Sequence, residues 1–183
     1  MGCESNKGSD VDGNSETIRL TIAATKGMCP AGEKAVSLFK SEGRAPVFSC
    51  EGPCIRGEIA RLAANAVSKT EGFARACHGE AFTVPHSAMA QWVKESPKVV
   101  VIDGCFLKCH ARILQGIVNE KALIEFDALP FYSKYTEYFD IDSVPEEDRK
   151  AAARQVADGI IRDLKQAQCA KPETQSACSC SRD

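Results

Sequence analysis

The chain has no apolar run approaching the roughly 20 residues that a membrane-spanning helix needs, and its first residues are polar rather than signal-like. No membrane partner is expected. It lacks a surplus of positive charge as well: 23 Lys and Arg stand against 25 Asp and Glu, for a net charge of -2 and an isoelectric point near 6.0. Nucleic acid is therefore not expected as a partner, because phosphate binding draws on clustered cations. Aromatic residues are only 7%, with a single Trp. The group Phe131, Tyr132, Tyr135, Tyr138 and Phe139 lacks the basic neighbours of a base-stacking platform and reads as core or lid. No C-x-x-C pair occurs, which counts against a thioredoxin-type enzyme. Met1-Gly2-Cys3 carries Asn6 where an acylation signal wants Ser or Thr, so no lipid anchor is expected.

Cysteine is what the chain has in quantity, ten in 183 residues. With no secretory signal, we expect a soluble, cytoplasmic protein of bacterial type in a reducing compartment. There, thiols serve metal binding or thiol chemistry rather than disulfides.

Residues 1–15 (MGCESNKGSDVDGNS) have nothing to bury and read as a disordered leader. Residues 169–183, which include Cys178 and Cys180, read as a flexible tail. Between them, 16–168 reads as a single domain. Residues 18–24 are β-rich and predict a first strand. Residues 32–41 carry Ala35, Val36 and Phe39 at helical spacing, with Gly43 as a stop. Residues 46–50 are extended. The clearest helix is 55–67, where Ile55, Ile59, Leu62, Ala63, Ala66 and Val67 form one stripe. A strand is expected at 73–77 and a short helix at 87–95. Val99, Val100, Val101 and Ile102 are a continuous β-branched run, the mark of a strand covered on both faces. A helix at 109–118, a strand at 123–126 and a last helix opening at 143 and running to 168 complete the series. Strand and helix alternate throughout. That predicts an α/β fold of three layers: a mostly parallel open sheet with helices on both faces, Rossmann- or flavodoxin-like.

In such folds sites form outside the carboxyl ends of the strands. Three strands lead to cysteine there: 46–50 ends at Cys50, 73–77 at Cys77, and 99–102 reaches Cys105 through Asp103-Gly104. Strands about 4.8 Å apart bring such thiols within reach of one cation. Cys109 lies four residues beyond Cys105, and a helix beginning near Cys105 would point both the same way. Cys54 repeats that spacing from Cys50 across Gly52-Pro53. Five thiols thus crowd one edge, a soft donor set that favours zinc, or an iron–sulfur centre, over magnesium or calcium. Cys29, after the first expected strand, is a further candidate on the same edge. Asp103 reads either as a turn former bonding nearby amides or as an acceptor that steadies a ligand loop. His78 and His110 follow Cys77 and Cys109 directly. Imidazole binds zinc well, but adjacent side chains diverge, so both rings are expected to point elsewhere.

Asp103-Gly104-Cys105 after an apolar strand, closed by Cys109, resembles the signature of the DGC-domain family, whose members are described as zinc-binding. The resemblance covers about residues 45–140 and takes in Cys50-Glu51-Gly52, the helix through Leu62-Ala63-Ala64-Asn65-Ala66, and Cys77. It implies Cys50, Cys77, Cys105 and Cys109 as four zinc-binding cysteines and leaves Cys54 as an extra. Glu51 and His78 depart from the family pattern at positions touching that set. The expected function is metal binding, zinc above iron–sulfur, with metal sensing or handling as its use. The alternative is a thiol-dependent redox enzyme using a low-pKa cysteine at the same edge.

Overall fold

A computed structural model describes residues 17–169 of the chain. Helix α1 (Pro30–Ser41) leads into strand β1 (Ala45–Ser49), then α2 (Ile55–Val67), β2 (Phe73–Arg75), α3 (His78–Thr83) and α4 (Ala88–Glu95). Strand β3 (Val99–Asp103), α5 (Cys109–Gln115), β4 (Leu123–Asp127), α6 (Leu129–Tyr132) and α7 (Glu146–Cys169) follow. All four strands pair in parallel, in the order β2-β1-β3-β4.

Alternating side chains divide two cores across the sheet. Val47, Val100 and Ile102 face α2 and α7, meeting Ile55, Ile59, Ala63, Val156, Ile160 and Leu164. Phe48, Val99 and Val101 face α1, α4 and α5, meeting Val36, Met89, Trp92, Val93 and Leu114. Every residue of β3 is buried, as its unbroken β-branched run requires of a central strand. The fold is thus the expected three-layer α/β sandwich.

Local chemistry sets the boundaries. Gly43 takes φ +64 after α1, a left-handed stop that favours glycine. Ser87 caps α4 by accepting the Ala90 amide at 3.1 Å, and Trp92 Nε1 donates to the Arg44 carbonyl at 3.1 Å, tying α4 to the start of β1. The expected strand at 18–24 is not formed. Ile18 and Leu20 are 67% and 75% exposed, and the two edges of the sheet are β2 and β4. β-branched residues make a strand only where a neighbouring ladder and a covering layer receive them, and this segment has neither.

The last helix begins at Glu146 and extends through Cys169. The expected leader at 1–15, and the tail with Cys178 and Cys180, lie outside the described residues. Among the described residues no helix is long and apolar enough to cross a membrane.

Candidate metal centre

Strand order reverses direction between β1 and β3. In doubly wound sheets the chain leaves such a pair toward opposite faces and opens a crevice at their carboxyl ends. Cys50 follows β1 and its amide donates to the Ile102 carbonyl of β3 at 2.9 Å, so it sits at the mouth of that crevice. Asp103 ends β3 and is 2% exposed. His110 stands in the first turn of α5. The Cys50 sulfur, an Asp103 carboxylate oxygen and a His110 ring nitrogen all lie within 4.8 Å of one another, a group able to hold a metal ion.

Each member is fixed by its own contacts. Asp103 accepts the backbone N–H of His110 at 3.1 Å and of Ala111 at 2.9 Å, which satisfies the buried carboxylate and caps α5. Lys108, just before α5, takes φ +47, a strained conformation for a side chain of that size, directly beside the cluster. Gly104 packs its Cα on the first turn of α2; a Cβ there would stand 2.6 Å from the Arg56 carbonyl oxygen. The Asp103-Gly104-Cys105 run therefore has separable roles: a cap, a close approach and a thiol. Across the ring, His78 meets His110 edge-on with centroids 5.0 Å apart, and its Nε2 lies 2.9 Å from the Ser49 carbonyl.

Electrostatics bind the three groups together. Burial pushes the Cys50 thiol up. The His110 ring and the Gly52 and Gly104 amides outweigh burial and hold the thiol below its usual range. The Asp103 carboxylate first, then the Cys50 sulfur, raise the His110 imidazole to about 9 against the opposing effect of burial. Asp103 is raised by burial but held low overall by His110 and the two amides. His110 Nδ1 stands 3.6 Å from Asp103 Oδ1, an ion-pair separation too long for a hydrogen bond, and it is buried without a partner. An unpaired imidazole nitrogen between a thiolate and a carboxylate fits a borderline-soft cation such as zinc.

Behind the cluster a polar network holds the β1 end rigid. Arg75 donates to Asn65 Oδ1 at 3.0 Å, to the Val47 carbonyl at 2.9 Å and to Glu51 Oε1 at 2.8 Å, and it also bonds Ser49 Oγ.

Of the candidates read from the sequence, Cys50 and Asp103 enter the cluster and His110 joins them. Cys77, Cys105 and Cys109 lie on the turns that leave the same carboxyl edge, outside that three-residue group. Cys77 precedes α3 and is exposed; Cys105 is half-buried; Cys109 opens α5 and is exposed. The helix after β3 begins at Cys109, so Cys105 and Cys109 are not one helical turn apart. Cys105 instead starts a tight turn closed by the Lys108 amide on its carbonyl, 3.0 Å. Cys54 is the N-cap residue of α2. Cys29 caps α1, its sulfur accepting the Gly32 amide at 3.4 Å. His78 packs on His110 without being one of the three. Adjacency to Cys109 was the wrong signal for His110: the two diverge as expected, but the inward-pointing residue of the pair is the histidine.

A model of the DGC domain matches residues 46–147, more than half of the chain. No curated protein and no solved structure matches it.

Proposed function

Because the chain belongs to the DGC-domain family, we propose that it is a zinc-binding protein whose metal centre is built on Cys50 at the carboxyl edge of the sheet. The observation that supports this reading is the Cys50–His110–Asp103 cluster with its unpaired buried nitrogen. Cys50 and His110 serve as two donors. Two of the three thiolates of Cys77, Cys105 and Cys109, on turns leaving the same edge, complete a four-coordinate shell, the geometry zinc prefers. Asp103, with both oxygens occupied by α5 amides, orients the His110 ring from outside that shell. Metal analysis of the purified chain tests the reading. About one zinc per chain, lost in Cys50→Ser, is expected, and zinc-free protein contradicts it.

One observation favours a second reading. The same three groups form a thiolate–imidazole–carboxylate series, with Cys50 held low by His110. In the metal-free chain this suits a reactive thiol of a redox enzyme.

A further inference from the structure

Residues 18–22 keep the alternation of a strand without forming one. In an extended segment Ile18, Leu20 and Ile22 share one face, and Arg19 and Thr21 share the other. All three apolar side chains are more than half exposed. An alternating β-prone run of this kind fits a pleated, half-buried surface, and here nothing in the same chain supplies it.

Strand β4 is a sheet edge of matching length. It spans five residues, Leu123–Asp127, and pairs with β3 alone. Among the described residues no backbone hydrogen bond reaches its outer side. Such an edge is a template for a further strand unless proline, a bulge or a covering element blunts it. β4 contains no proline, and all five of its residues are half-buried where all five of β3 are buried.

The two faces of β4 match the two faces of the segment. Ile124 and Phe126 pack on the α2/α7 core, and Leu123 packs on the opposite core. Alternation puts Glu125 and Asp127 on the Leu123 face. When Ile18, Leu20 and Ile22 lie beside Ile124 and Phe126, Arg19 falls on the face that carries the two acids. The charged residues within 18–26, Arg19 and Lys26, are both basic, and those of β4 are both acidic. Complementary charge of this kind selects the partner and fixes the register.

The segment leaves the body on the other side of the sheet. The Cys29 amide, just before α1, donates to Glu80 Oε1 of α3 at 3.3 Å, and α3 follows β2. The β4 edge of the same chain thus lies about three strand spacings of 4.8 Å away, with the turns after β1 and β3 between. The nearer edge, β2, has three residues, and the segment does not pair with it. A second copy presents a free β4 to the segment, and two-fold symmetry makes the same contact twice.

We propose that residues 18–22 add to the outer edge of β4 in a second copy of this chain, giving a strand-exchanged dimer. Main-chain hydrogen bonds along the added strand supply affinity, and the apolar face sets the register, since a slip of one residue would turn Leu20 toward the acids. The dimer goes beyond the metal reading and does not depend on it, because neither surface includes Cys50, Asp103 or His110.

Size-exclusion chromatography with light scattering tests this on the full chain over a concentration series, in reductant so that disulfides cannot bridge copies. Amide exchange is read in parallel at residues 18–22 and 123–127. A mass approaching twice 19.7 kDa is expected at high concentration, with exchange slowed in both segments as the dimer fills. Leu20→Asp, at a position that is 75% exposed and that the fold does not need, should keep the circular dichroism of the wild type. It should raise the dissociation constant of the dimer by about tenfold or more. A chain that stays monomeric up to its solubility limit overturns the proposal, whether or not residues 18–22 are protected. A dimer whose two segments exchange as they do in the monomer also overturns it, as does one that Leu20→Asp leaves equally tight.

Discussion

Asp103 holds His110 at two points: its Oδ1 accepts the His110 amide at 3.1 Å and stands 3.6 Å from the same residue's ring Nδ1. One carboxylate thereby sets where α5 begins and which way its imidazole faces. Cys50 meets that imidazole from the neighbouring strand, so the cluster joins two central strands and a helix.

Asp103→Asn keeps the shape and removes the charge. A buried carboxylate that accepts two amides contributes about 1.5–3 kcal/mol per charged bond, and a group orienting a metal-binding imidazole about 10–100-fold in metal affinity. The variant should unfold at lower urea and bind zinc at least about tenfold more weakly. Unchanged affinity would separate Asp103 from the metal.

Gly104→Ala places a Cβ 2.6 Å from the Arg56 carbonyl, and α2 must shift to admit it. Overpacking of this kind costs about 1–3 kcal/mol. Gly79→Ala, on α3 with open space around it, should be neutral or stabilising by up to about 1 kcal/mol. Thermal melts of the two variants side by side test the contrast.

Much of this was legible beforehand, for reasons that differ by element. The β3 strand showed in its β-branched run, and α2 in a stripe whose ends, Ile55 and Val67, match the helix. Residues 18–24 misled because β-propensity reports fit to a half-buried sheet surface, and which segments receive a neighbour is a property of the whole chain. The short α3 and α6 were missed, as four to six residues hold too little periodicity to be seen. Strand ends put Cys50, Cys77 and Cys105 on one edge. His110 was missed because its place depends on where α5 starts, and that start is set by the left-handed Lys108 and the Asp103 cap.

Acid should weaken the metal-free fold through His78. Burial first, then the Arg75 and His110 charges, hold its imidazole down to about 4, against a smaller pull upward from Glu51 and the Ser49 carbonyl. An unfolded histidine titrates near 6.5. The His78 contribution is therefore full above about pH 6.5 and is lost as pH falls toward 4, by about 2–3 kcal/mol in all. Urea midpoints of chelator-treated protein across that range measure it, and His78→Gln should flatten the acid limb.

The Cys50–His110 pair responds differently. Folding lowers the thiol and raises the ring, so the proton the sulfur gives up offsets the one the imidazole takes up, and stability should vary less with pH than the raised ring alone would make it. In Cys50→Ser only the raised His110 remains, and stability should decline as pH climbs from about 6.5 through 9. A flat profile in the variant would show that Asp103 alone does not hold the imidazolium.

Thiol reactivity gives an independent check. In chelator-treated protein at pH 7, Cys50 should alkylate faster than an ordinary thiol, and His110→Ala should slow it by about tenfold, since the thiolate fraction falls with each unit of pKa regained. Mass mapping of the modified residue distinguishes Cys50 from the exposed Cys77 and Cys109.

Zinc content of the chain as isolated, set beside that of Cys50→Ser and His110→Ala with helicity checked by circular dichroism, tests the central claim most directly. About one zinc per wild-type chain and a large loss in both folded variants are expected. A wild-type chain that carries no zinc and takes none up, or variants that keep a full complement, would contradict it.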